Sequence, residues 1–261
     1  MVNYLGSDDR INSRTTNGEH SGAGQPYHTT SAFGLGDMRL TVYKWLFKPT
    51  LSQRANVQIG LGLKLPTGNY QADDFFYRNH DSTKILAPVS PPVQLGDGTM
   101  GITTSIGTFY TFNKVFSING SFFYMFNPQN VNGVSTTEGN IPTPQQIAST
   151  GTVTSATDQF AFSVGLNALL NHWLFSVSFS GGGVPVNDVF GRSDGARKAG
   201  INLSLDPGVL YNFGTFSLYA NVPILFHHHV ALDNVSAGQG SSIGVGGSPD
   251  LMYSFGALFT L

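Results

Sequence analysis

Residues 160–180 read FAFSVGLNALLNHWLFSVSFS. Phe160, Phe162, Val164, Leu166, Ala168 and Leu170 share one parity, and Ser163, Gly165 and Asn167 share the other. After Asn171-His172 the alternation resumes, with Trp173, Phe175, Val177 and Phe179 set against Ser176, Ser178 and Ser180. An apolar residue at every second position lies on one face of an extended strand. Two such runs joined by two residues read as a hairpin.

The same period runs outward in both directions. In 56–65 it sets Val57, Ile59, Leu61, Leu63 and Leu65 against Asn56, Gln58, Gly60, Gly62 and Lys64. It recurs at 100–112, 116–126, 201–213, 216–225 and 251–261, and more plainly at 38–47. No stripe of 3.6-residue period stands out, so helices are expected to be minor. Pro207 lies inside 201–213 and cannot donate a ladder hydrogen bond, which predicts a bulge or kink there.

Which face meets water is decided by charge. The chain carries 13 Lys plus Arg and 15 Asp plus Glu in 261 residues, or 11% charged, where a soluble domain has roughly 25%. The eight clear segments contain two charges, Lys64 and Asp206. A soluble sandwich covers its solvent face with Lys, Glu, Asp and Arg. Here that parity is Gly, Ser, Thr and Asn. A transmembrane barrel turns the apolar parity to lipid and the other to the lumen. The expected fold is therefore an all-β, antiparallel transmembrane β-barrel in a bacterial outer membrane. A soluble secreted β-protein is the weaker reading.

Composition excludes other classes. No run approaches the ~20 apolar residues of a membrane-spanning helix. A net charge of -2 without a basic cluster speaks against a nucleic-acid binder, which must neutralise phosphates. The absence of Cys removes disulfides and thiolate metal sites. Met1 is followed by no basic and apolar leader pattern, which reads as a processed or truncated form of an exported chain.

Connections alternate in length. Those at 48–53, 113–114, 171–172 and 214–215 are short, and those at 66–99, 127–159, 181–200 and 226–250 are long and polar. Short periplasmic turns and long outer loops give this rhythm. Trp45, Tyr110, Phe112, Trp173, Tyr211 and Phe213 lie near the short turns and are expected to form an interfacial aromatic girdle. Nine full strands are visible. Val2 to Leu5 reads as the tail of a tenth that runs into a loop at 6–36, so 1–261 is one barrel domain. Ten is even, as single-chain bacterial barrels require. Strands missing upstream would raise the full-length count to twelve.

Three short steps carry a resemblance. They are Gly36-Asp37 in GLGDMRLTVYKWLF (34–47), Lys64 to Gly68 in GLGLKLPTGNY (60–70), and Gln94 to Gly98 in VQLGDGTMGI (93–102), with NVPIL (221–225) near the end. The chain resembles the outer-membrane proteins grouped under "MetA-pathway of phenol degradation". That resemblance implies a β-barrel channel or transporter, tied to uptake of aromatic or other small organic compounds. No catalytic residues come with it, and no cofactor is expected.

Candidate site residues come from parity. Asp37, Asp97 and Asp250 each open a strand on the lumen parity, and with Arg39 and Lys64 they are expected to ring the outer mouth. Asp206 is the remaining strand charge. Such rings set ion preference, although Asp and Gly at strand ends also serve as caps and turns. His227 and His229 share a side of an extended chain and are weak metal candidates. A solvated loop run is the better reading of 227–229. The G-x-S-x-G spellings at 191–195 and 240–244 lie in long polar connections, so no nucleophile elbow is read and no catalysis is expected. The expected role is porin-like passage of small neutral or hydrophobic and aromatic solutes. The expected partners are the bilayer, a small organic solute and, as an open alternative, further copies of the chain. The alternative role is a plugged barrel that acts through its loops.

Overall fold

In the structure, a computed structural model, the described residues are 13–15, 28–48, 53–78, 83–89, 91–137, 139–148, 151–230 and 253–259. The strands are β1 (Ser13–Thr15), β2 (His28–Thr30), β3 (Met38–Trp45), β4 (Ala55–Leu65), β5 (Asp73–Arg78), β6 (Thr83–Pro88), β7 (Gly101–Thr111) and β8 (Phe116–Phe126). They continue with β9 (Val131–Ser135), β10 (Val153–Ser155), β11 (Gln159–Leu170), β12 (Trp173–Val184), β13 (Gly200–Asn212), β14 (Phe216–Asn221), β15 (Ile224–Val230) and β16 (Ser254–Phe259). A short α-helix, α1 (Pro144–Ala148), lies between β9 and β10. Val2 to Leu5 and Asp250 lie outside the described residues.

Ten strands form one antiparallel sheet in the order β16-β14-β13-β12-β11-β8-β7-β4-β3, with β15 also on β13. Because β14 and β15 succeed each other along the same edge of β13, the sheet is nine rungs wide. These rungs are the nine strands expected from alternation. β3 and β16 end the path, and no pairing joins them among the described residues. As first and ninth rungs of an antiparallel meander they run in the same direction.

Register sorts the residues into faces. One row across the sheet is Gln58, Gly107, Ser121, Ser163, Ser180 and Ser204. The next face-sharing row is Asn56, Phe109, Asn119, Gly165, Ser178 and Asp206. On the opposite face a row runs Ile59, Ile106, Phe122, Phe162, Gly181 and Leu203.

The polar face is the concave one. Arg39 of β3 places its guanidinium carbon 5.6 Å from the ring centre of Phe123 on β8. Three strand spacings separate them, roughly 14 Å across a flat sheet, before the offset along the strands is added. Only a strongly curled sheet brings those side chains together. The outer face holds Leu61 at 61%, Val164 at 50% and Leu166 at 55% exposure. Lys64, Asn56 and Thr103 on the enclosed face are buried. This arrangement is inside-out relative to a water-soluble protein. Leaving one large aliphatic side chain in water forgoes about 1.5–3 kcal/mol, and the outer rows repeat that many times.

Several boundaries differ from the sequence reading. β12 continues through Gly181-Gly182-Gly183 to Val184. The expected loop start there is strand, and Gly181 opens a gap that a Cβ would fill 2.6 Å from Phe162 and 2.7 Å from Leu203. β15 carries 227–229 in the sheet, where the sequence reading expects a loop. Pro207 sits in unbroken β12–β13 register opposite Val177. The interruption falls on the partner strand at Val222–Pro223, opposite Asp206 and Pro207, where neither proline can donate to the ladder.

At the short-turn end several of the aromatic side chains pack on one another. Trp173 meets Tyr211 at 4.6 Å between ring centres, Tyr211 meets Phe213 at 4.6 Å, and Phe213 stacks on Phe216 at 4.6 Å. Tyr110 and Phe112 pair at 5.2 Å. Trp45 departs from this set. It lies opposite Gln58 on the polar face and meets Phe109 edge-on at 5.8 Å. Its level along the strand suits a girdle, but its parity is that of Arg39, Thr41 and Tyr43, which points it away from the outer surface.

Candidate functional site at the mouth

The three motif steps interlock at the long-loop end of β3, β4 and β7. The Asp37 carboxylate accepts the backbone N–H of Gly68 at 2.9 Å and of Asp97 at 3.2 Å. The Lys64 ammonium lies 3.4 Å from the same carboxylate and also donates to Asp97 and, at 3.4 Å, to Thr99. Thr67 accepts the N–H of Met38 at 2.8 Å and donates to the Gly36 carbonyl at 3.2 Å.

Each motif residue has a local reason. Gln94 donates to the Ala72 and Val89 carbonyls and accepts the N–H of Ala72 at 3.0 Å. That bond set anchors the segment before β7 over a small apolar cluster of Ala72, Val89 and Val93. Gly98 has φ +72°, and a Cβ there would stand 2.5 Å from the Tyr70 ring. Left-handed backbone and a ring overhead both select glycine.

This cluster is a lock more than a lining. The Lys64 side chain is 2% exposed and that of Asp37 10%. Asp37, Lys64 and Asp97 therefore come together as the parity argument expects, but their charges face one another. Arg39 stands apart, exposed over Phe123. Asp206 is also separate. It lies in the wall of β13, where Ser180 donates to it at 2.5 Å and Ser204 at 2.7 Å. Asp250 lies outside the described residues, so the ring is seen as one lock and two isolated wall charges.

Replacing Asp37 by alanine strips the Gly68 and Asp97 N–H groups of their acceptor and leaves the Lys64 ammonium with Asp97 and Thr99 alone. Its expected cost is about 1–3 kcal/mol, the penalty for stranding buried polar groups. A shift in the urea midpoint of refolding checks it; an unmoved midpoint would count against the lock.

A second network, invisible in the sequence, joins the first. Asp158 is fully buried and accepts from Asn127 N–H at 2.6 Å, Tyr124 Oη at 2.9 Å and Val189 N–H at 2.9 Å. Its own N–H donates to Asp188 at 2.9 Å. Asp188 receives both terminal nitrogens of Arg197, at 3.0 and 2.7 Å, with side chains 0% and 1% exposed. Arg197 also donates to Ser155 at 2.8 Å. Asn127 donates to Thr99 at 2.5 Å, and so ties this network to Lys64. Asn132 donates to the Asp97 carbonyl at 3.0 Å. The segments before β7, before β11 and before β13 thus form one hydrogen-bonded assembly at one end of the sheet. None of these loop residues carries a sequence signal, because their partners lie far along the chain or obey no spacing rule.

Among the described residues no group of three or more His, Cys, Asp or Glu comes together as a metal cluster. Set against protein-family models and against curated proteins, the chain matches none.

Proposed function

We propose that this chain spans a bacterial outer membrane as a β-barrel and passes a small, weakly charged organic solute along its enclosed face. The observation that carries the reading is the inversion of faces, with Leu61, Val164 and Leu166 outward and the serine row inward. Lipid is the solvent in which that outer surface is stable. The ring band from Trp173 to Phe216 suits the membrane interface. A tenth antiparallel strand between β3 and β16 would complete the barrel, since closure leaves no exposed edge.

The enclosed face offers Ser, Thr, Asn and Gly, which give hydrogen bonds but little field. Neutral or amphipathic solutes suit such a wall better than strongly charged ones. The motif resemblance to the phenol-degradation outer-membrane group points the same way, toward aromatic or similar compounds. Liposome swelling that admits a neutral aromatic faster than a small anion supports this reading. Entry of the anion alone would reject it.

A second reading is favoured by one specific observation, the buried loop assembly around Asp158, Asp188 and Arg197. In that reading the mouth is closed and the loops act on the surface. Planar-bilayer recording separates the two. A stable open current supports the channel, and silence from folded, inserted protein supports the plug.

A further inference from the structure

We propose that His227 and His229 form a two-imidazole site for a divalent transition-metal ion, with Cu2+ the tightest of the series. The argument starts in the backbone. Leu225 pairs with Ser204, whose row is the enclosed face, and the register then shifts so that His227 pairs with Leu203. The extra residue is Phe226, a bulge that inverts the parity of the residues after it. His227 and His229 consequently lie on the outward face, opposite Leu203 and Ile201. His228 faces the other way and hydrogen-bonds through Nδ1 to the Asn202 side-chain oxygen.

Both outward rings are exposed. Their centres are 6.3 Å apart, and their planes differ by 13°. With metal–nitrogen bonds of about 2.0–2.1 Å, the centres of two ligated imidazoles lie roughly 4.5 Å apart at a right angle and roughly 6.4 Å apart in line. The separation falls within the span that two ligated imidazoles cover, but the parallel, stacked rings must turn about their side-chain torsions to aim a nitrogen each at one ion. Both side chains are exposed, so that turn needs no movement of the strand. The β13 ladder fixes the two Cα positions, so only the side chains need to be ordered on binding. Imidazole is a good ligand for Zn, Cu and Ni, and Cu2+ heads the divalent series. With two protein ligands, water completes the coordination and affinity is modest. The pair sits past Phe226, near the long-loop end of its strand, where an ion can reach it from water. The site does not depend on solute passage or on an open lumen.

Titration of tag-free full-length chain in detergent micelles with Cu2+, followed by electron paramagnetic resonance, tests it. The expected result is one saturable site per chain with two nitrogen donors. His227→Ala and His229→Ala each weaken it at least about tenfold, because a tethered second ligand acts at high effective concentration. His228→Ala leaves it unchanged. Circular dichroism of each variant establishes that the strands are intact. Equal weakening by all three substitutions would mean a mobile histidine run and overturn the proposal. The absence of any saturable two-nitrogen site would overturn it as well.

Discussion

On the proposed membrane reading, Val164→Arg is expected to destabilise the folded chain in lipid by about 2–4 kcal/mol, the cost of an arginine on the lipid face near the middle of a barrel strand. Val164 lies mid-way along β11, 50% exposed, in an outer row with Thr108, Gly120, Phe179 and Leu205. In a soluble protein the same substitution would add a charge to an exposed surface and change stability by no more than about 0.5 kcal/mol. The two solvents therefore predict different outcomes at one position. Reversible folding into phospholipid vesicles, followed by urea titration, gives the measurement. Ile141→Arg is the control, since Ile141 is 93% exposed in the segment between β9 and β10. An unaltered midpoint for Val164→Arg, or a variant soluble without detergent, would remove lipid from the account.

Arg197→Met has the larger expected effect, about 3–5 kcal/mol, because it leaves a buried carboxylate without its cation. Asp188 would keep its bonds to Ser193 and to the Asp158 N–H, which are too few for a charge removed from water. The damage should be local to the loop assembly. Limited proteolysis would then cut within 185–199 while the sheet survives. In a plugged barrel, the same variant should convert bilayer silence into conductance. Pairing it with Asp188→Leu removes both charges and should recover part of the loss, since replacing a buried pair by apolar groups is often neutral. A double variant no better than Arg197→Met would show that the other bonds to Asp188 dominate.

The mouth shows where local reading stops. Asp37 and Asp97 are legible as strand-opening residues and Lys64 as a strand-end charge on the same parity, and the structure brings them into contact. Their burial was not legible. Whether a rim charge faces a solute or another side chain depends on what the loops place above it. Asp158, Asp188 and Arg197 form the most buried polar contacts of the assembly, yet each looks like an ordinary loop residue. Trp45 gives the converse lesson, because its level along the strand is readable while its pairing with Gln58 sets its face.

By itself, the alternation of Phe, Leu and Val with Ser, Gly and Asn determined the strands, the hairpins and the two faces, and the scarcity of charge on the polar parity pointed to their inversion. A pleated strand sends successive side chains to opposite sides, so period and parity are local properties that need no partner. The tertiary structure decided matters that rest on pairing between distant segments. These are the curl that brings Arg39 over Phe123, the Phe226 bulge that turns His227 and His229 outward, and the loop network around Arg197. One residue of register shift reverses every side chain beyond it, and only the neighbouring strand fixes where that shift occurs.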